Sequence, residues 1–224
     1  MPRTTYHGIQ LPQLGRLPTA TAIERLDPDI GLADIRIANC DLSDQKADRL
    51  IIERSDFQHV MFNQTRLTYS RGVDVQFEVC DLSGSNWEKA HFQRALFTDC
   101  KLFNTQFFEA IIEQAVFKKC TGLHSVFAMA KLKKTRFEKC DLKEASFIEA
   151  DLRNTVFQEC NLTKADFRGA KLAGADFRSS TIDRMQANPA DLAGILIEPI
   201  QAIQVVGMLG IKVLSIGETE EKQD

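Results

Sequence analysis

Proline is missing from residues 29–188; all six prolines stand outside, at 2, 12, 18, 28, 189 and 199. A stretch in which every residue keeps its backbone N–H suits an unbroken hydrogen-bonded ladder, which proline would interrupt. Ring types are few as well: one Trp and two Tyr stand beside 15 Phe. Net charge is low, with 28 basic against 31 acidic residues, so charge balance signals neither a nucleic-acid binder nor an acid-rich decoy. No run of about 18 apolar residues exists to span a bilayer. The opening MPRTTYHGIQLPQL has no apolar core for a secretory signal, so a cytoplasmic protein is expected.

Chemical signatures are lacking too. There is no CxxC pair, GxSxG, phosphate-cradling GxGxxG or GxxxxGK[ST], or HExxH. The four histidines, His7, His59, His91 and His124, fall on different levels and sides of the repeat described next. No catalytic residue, metal site or cofactor is expected, and the chain does not read as an enzyme.

What the sequence has in abundance is a period of five. From Ala130 it divides into AKLKK, TRFEK, CDLKE, ASFIE, ADLRN, TVFQE, CNLTK, ADFRG, AKLAG and ADFRS. The third residue of each block falls on a position ending in 2 or 7. Between Leu32 and Ile182 there are 31 such positions; 28 hold Leu, Ile, Phe or Trp, the exceptions being Ala47, Gly72 and Gly122. Self-similarity at a fixed period means a solenoid, whose units bury their apolar sides only by stacking on one another.

A second period sets the size of one coil. Cys80, Cys100, Cys120, Cys140 and Cys160 are spaced 20 apart, and Cys40 belongs to the same series. Twenty residues make four blocks, hence four sides. Positions 57, 77, 97, 117, 137, 157 and 177 are then one column of Phe, faced by Leu67, Trp87, Phe107, Phe127, Phe147 and Phe167. The other two columns are mostly Leu and Ile, so rings and aliphatics together fill the interior. Neighbouring Cys in a column would sit about 4.8 Å apart with parallel Cβ directions, wider than a disulfide prefers. They read as small buried apolar residues. Asp41, Asp81, Asp141, Asp151, Asp166 and Asp176, each just before a central residue, recur because the turn chemistry recurs.

The blocks ADFRG, AKLAG, ADLRN and CDLSG resemble the A(D/N)LXX motif of the bacterial pentapeptide-repeat family, over roughly residues 30–184. The resemblance implies an all-β solenoid, a right-handed quadrilateral β-helix. It also implies a possible partner class, since some members protect DNA gyrase or topoisomerase IV by mimicking duplex DNA, and the ending LGIKVL is similar to theirs.

Four segments follow: an irregular N-terminal cap over the first coil at 1–29, the β-helix at 30–184, a helix and strand cap at 185–217, and a disordered tail at 218–224. Slack or a bulge is expected at Ala47 and Gly72, with a soft spot at Gly122. Pro199 suits the first turn of a short C-terminal helix ending near Leu209 before Gly210, followed by a strand at Ile211–Leu214.

Three exterior features stand out. Lys118, Lys119, Lys131, Lys133, Lys134, Arg136 and Lys139 form a basic patch on two adjoining sides. Phe103, Phe108, Leu123, Val126, Met129 and Ile148, with Ala128, put apolar groups where the motif normally turns polar residues outward, which suggests a protein-binding patch. Finally, Pro199–Ile211 carries no charge, and Ile200, Ile203, Val206, Met208 and Leu209 distribute apolar groups around most of a helix. A capping helix needs only one apolar stripe, so a second copy of the chain is expected to cover the rest as a homodimer. The leading expectation is a non-catalytic protein-binding scaffold, with the topoisomerase-directed DNA mimic as the alternative.

The Cys column yields a direct check. Unfolding in non-reducing buffer should expose six titratable thiols; a smaller number requires a disulfide or a bound metal.

Overall fold

The computed structural model describes residues 5–20, 23–208, 210, 211 and 213. Its strands are β1 (Thr5–Tyr6), β2 (Ile9–Gln10), β3 (Thr19–Ala20), β4 (Leu32–Ala33), β5 (Arg36–Ala38), β6 (Ile51–Gln58), β7 (Arg71–Glu78), β8 (His91–Thr98), β9 (Ile111–Lys118), β10 (Lys131–Glu138) and β11 (Val156–Gln158). A single short helix, α1 (Ala202–Met208), follows a 3-10 turn at Pro199–Gln201. No helix among the described residues is long and apolar enough to cross a membrane.

The chain is a four-sided parallel β-helix of about seven coils. Strands β5 to β11 stack in sequence order, and each residue pairs with the one 20 positions on: Phe57 with Phe77, Phe77 with Phe97, Phe97 with Phe117. Each of β6 to β10 covers two sides and turns the corner between them. Single bridges such as Asp41–Met61 and Lys46–Arg66 continue the same register on the other two sides. Corners fall at positions ending in 4 and 9, which nearly all take a left-handed backbone, from φ +43° at Arg54 to +80° at Gly194. Most are not glycine, although L-residues disfavour that region.

The interior is a stack of rings. Along the Phe57–Phe177 column, centroids lie 4.5–5.2 Å apart and planes within 12° of parallel. The facing column meets it edge-on, as Phe157 meets Phe167 at 5.9 Å and 88°. Both arrangements suit the ring quadrupole. Small residues at the block openings are buried too, and most of their hydroxyls are satisfied, Ser70 Oγ excepted: Thr65 and Thr105 donate to the Leu42 and Leu82 carbonyls at 2.9 and 2.8 Å, and Trp87 Nε1 donates to Ser85 Oγ at 2.9 Å. All six cysteines are free, and those at 80–160 are buried. Their Sγ atoms lie near main-chain carbonyls, Cys140 being 3.3 Å from that of Phe117. Burial pushes the Cys120 thiol up, with hydrogen bonding to Cys100 and Cys140 adding to it.

Three expectations need correction. Ala47 and Gly72 bring neither slack nor a bulge, because the ladder runs through both in register. A Cβ on Gly72 would lie 2.6 Å from the Phe92 ring, so the glycine makes room for a phenylalanine one coil on. Gly122 is equally regular, its N–H donating to the Asp141 carbonyl at 2.6 Å. The repeat pairing also continues past Arg184, as Asp176 bridges Leu196.

The N-terminal segment is more than a cap. Strand β3 does pair in parallel with β5, and Leu26 is buried with its N–H on Gln45 Oε1 at 2.7 Å, so β3 and Leu26 close the first coil. Residues 5–18 instead climb the outside of the Phe57–Phe177 side as a strap, with β1 and β2 an antiparallel hairpin at its tip. Bonds from the Arg36 N–H to Pro18 O, from the Gln13 N–H to Asp74, from the Gln10 N–H to Gln114 and from the Tyr6 hydroxyl to Glu138 mark its course.

At the other end, Gln201 is buried. Its Nε2 donates to the carbonyls of Phe177 and Ser180 at 2.8 and 2.7 Å, and its Oε1 accepts from Glu198 N–H at 2.7 Å. This one amide takes up acceptors that the next coil would have used. Ile211 and Val213 have no regular structure; the rest of the expected strand, Lys212 and Leu214, and the tail at 218–224 lie outside the described residues.

Truncating the ring column at Phe117→Ala should cost about 3–5 kcal/mol, as large core truncations do. An outward change, Lys171→Ala, should stay within about 0.5 kcal/mol. Urea unfolding of both variants checks this; equal losses would mean that inside and outside are reversed.

Candidate protein-binding surfaces

Every block turns its third residue inward, so the second, fourth and fifth make the outer surface. Asp at the second place holds the turn. The carboxylates of Asp81, Asp166 and Asp176 accept the N–H of the residue two on, at 3.0–3.1 Å. Where that residue is Arg, its guanidinium also forks onto the same carboxylate: Arg153 on Asp151, Arg168 on Asp166, Arg178 on Asp176. These pairs are exposed and add little stability, but they cancel charge locally.

The strap covers three ion pairs on its side of the rod. Asp56, Asp74 and Glu138 are nearly buried although they point outward, and each meets an arginine: Arg36 at 2.8 Å, Arg94 at 2.6 Å and Arg136 at 2.7 Å. Burial opposes ionisation of Glu138, but bonds from Tyr6 and Arg136 outweigh it and hold the carboxyl below its usual range. The same bond to Glu138 raises Tyr6. Asp74 is likewise held down, burial being outweighed by Arg94 and the Gln13 N–H.

The predicted basic patch is only partly neutralised. Arg136 is engaged with Glu138 and Gln158, Lys133 with Glu113 at 3.4 Å and Lys139 with Glu159 at 3.5 Å, while the Lys118 ammonium lies over the Tyr6 ring at 5.4 Å. Lys119, Lys131 and Lys134 have no carboxylate within 4 Å among the described residues.

The apolar patch falls on the two sides away from the strap. Phe103 and Leu123 lie on one, and Phe108, Val126, Ala128, Met129 and Ile148 on the next, on three successive coil levels. Phe103 is 36% and Met129 44% exposed; Phe108, Leu123, Val126 and Ile148 are half-buried. The strap's hydrogen bonds run to Arg36, Asp74, Gln114 and Glu138, none of which belongs to this patch.

The C-terminal segment splits into two faces. Val205 and Met208 pack toward the core, so Met208 does not belong to the outward set assigned from sequence. Ile200, at 74%, and Ile203, at 58%, face outward with Leu196, Ile211 and Val213; Val206 is half-buried. Leu209 lies outside the described residues.

Sequence reading missed the strap and the floor beneath it. Leu96, Val116 and Val156 recur at the outward position before the Phe column, at multiples of 20.

A family model described as a pentapeptide repeat region matches residues 90–142 and 130–203, together just over half of the chain. The chain belongs to the pentapeptide repeat family. No curated protein sequence matches it. Among solved structures it is similar to HetL, a pentapeptide repeat protein involved in heterocyst differentiation regulation from the cyanobacterium Nostoc sp. strain PCC 7120, at 16% identity over 79% of this chain and 92% of that one, TM-score 0.42. It is similar to full-length QnrB1, a plasmid-mediated fluoroquinolone resistance protein, at 20% identity over 79% and 100%, TM-score 0.39. A pentapeptide repeat protein from the Arabidopsis thaliana thylakoid lumen is 27% identical over 45% and 66%, TM-score 0.30.

The strap should respond to acid. A carboxyl held below its unfolded value stabilises the docked state above that value and loses this contribution as pH falls through the depressed one. Amide exchange at residues 5–13 should therefore quicken as pH drops below about 4, corrected for intrinsic rates, and Tyr6→Phe should quicken it already at pH 7. Unchanged protection in both tests would mean that Glu138 does not hold the strap.

Proposed function

We propose that this protein is a non-catalytic scaffold that binds another protein through the Phe103–Ile148 ribbon and pairs with a second copy through its C-terminal end. The observation that carries this reading is the uncovered ribbon. The rod's interior is filled by side chains, which pushes any activity to the surface, and the chain covers one side with its own strap while leaving this apolar strip open. Contiguous apolar groups at successive levels mark contact surfaces on soluble proteins. The uncharged end, with Ile200 and Ile203 turned outward, fits an isologous two-fold contact.

The topoisomerase-directed alternative fares worse on charge. A DNA mimic needs phosphate-like carboxylates along the rod, and here Asp151, Asp166 and Asp176 each carry an arginine, while Lys119, Lys131 and Lys134 add positive charge midway.

Light scattering combined with affinity capture tests the two surfaces separately. The native chain should give about 50 kDa, twice 25.2 kDa. Ile203→Glu should shift the mass toward monomer, and Phe108→Glu should leave it unchanged while abolishing capture of the partner retained by the native chain. A native monomer removes the dimer, dissociation by Phe108→Glu moves the interface to the ribbon, and equal capture by native chain and Phe108→Glu removes the ribbon.

A further inference from the structure

Where the strap crosses the rod it does not lie flat, but encloses a cleft of about 310 Å³ with the side beneath. Leu96 and Val116 form the floor, Leu11 and Tyr6 of the strap form the roof, and Thr98, Lys118 and Lys119 stand at one rim. A volume of this order is within the range of small-ligand sites. Its lining is amphipathic. Aliphatic groups of Leu11, Leu96 and Val116 stand beside the Tyr6 ring, the Thr98 hydroxyl and two ammonium groups, with no carboxylate in the lining itself. Four other clefts on the described surface each include acids: Glu113 and Asp151, Asp176 and Glu198, Asp81 and Asp99, Glu24 and Asp44.

Neither lysine is held in a direct ion pair, although Lys118 lies within electrostatic reach of Glu138. Lys118 contacts the Tyr6 ring, and neither it nor Lys119 has a carboxylate within 4 Å among the described residues; Asp99, one coil before Lys119, forms no ion pair with it. An apolar slot with an unneutralised cationic rim matches a molecule with an apolar body and one anionic end. The anion would meet the ammonium groups and the Thr98 hydroxyl, and the body would lie over Leu96, which the strap leaves half-buried, with Val116 already buried beside it. We infer that this cleft is a binding site for an amphipathic carboxylate, such as a short-chain fatty or aryl-alkyl acid. Because two of its walls belong to the strap, occupancy also fastens the strap to the rod.

The test uses the full chain with octanoate and 1-octanol as probes, followed by the methyl resonances of Leu11, Leu96 and Val116. Octanoate should shift these three methyls saturably and bind at least about tenfold more tightly than octanol, a charge-assisted contact's worth of discrimination. Lys119→Glu, a change at an exposed position that leaves the core intact, should weaken octanoate by about tenfold and leave octanol unchanged. Lys134→Glu, which removes a charge elsewhere in the basic patch, should change neither. Equal affinity for the two probes, shifts that fall on other methyls, no saturable shift, or equal loss from both lysine variants would each overturn the proposal.

Discussion

The constraint on which everything else rests is the spacing of rings across coils. Parallel strands stack about 4.8 Å apart, and the phenylalanines of one column stack face to face at 4.5–5.2 Å. The two spacings agree, so backbone pairing and ring packing are satisfied by the same 20-residue step. One inserted residue would rotate every later side chain out of its column, and the register holds without interruption from Leu32 to Ile182. Backbone strain is accepted to keep it. The corners place non-glycine residues in the left-handed region, even the β-branched Val79 at φ +53°, at a cost of order 1 kcal/mol each. The stack on either side of each corner offsets that cost.

Filling the core with rings decides where function can reside. With the central side chains buried throughout the repeat, chemistry is confined to the outer positions, and there most charge is cancelled in place. Turn aspartates are matched by arginines two residues on, and lysines on one coil by glutamates on the next. What remains unmatched on the surface is therefore informative: the Phe103–Ile148 ribbon, the outward isoleucines at the C-terminal end, and the lysines beside the strap.

The strap changes the character of one side of the rod. It turns a row of outward residues, Asp56, Asp74, Val116 and Glu138, into an interface closed by ion pairs and by the Tyr6 hydroxyl. It also divides the rod's sides by role, since the strap and the cleft beneath it occupy one and the open ribbon lies on others. Both ends are closed by side-chain amides as well as by apolar residues: Gln45 receives the incoming segment at the first coil, and Gln201 satisfies the last carbonyls.

By itself the sequence determined the four-sided coil, the identity of its columns, the free buried thiols and the turn role of the aspartates. All of these follow from one fixed period acting on neighbours in a stack. It also located the outward Phe108, Met129, Ile200 and Ile203, because outward positions in a strict repeat can be counted. Only the tertiary structure decided how Gly72 is filled, since Phe92 reaches it from the next coil along a direction that the five-residue pattern does not encode. Only the structure placed Met208 inward, Gln201 in the core and Tyr6 against Glu138, 132 residues away. Segments outside the repeat carry no period from which a register can be counted. Their positions are set by which exposed acids, carbonyls and apolar side chains the finished rod offers them, and those exist as a surface only once the coils have stacked.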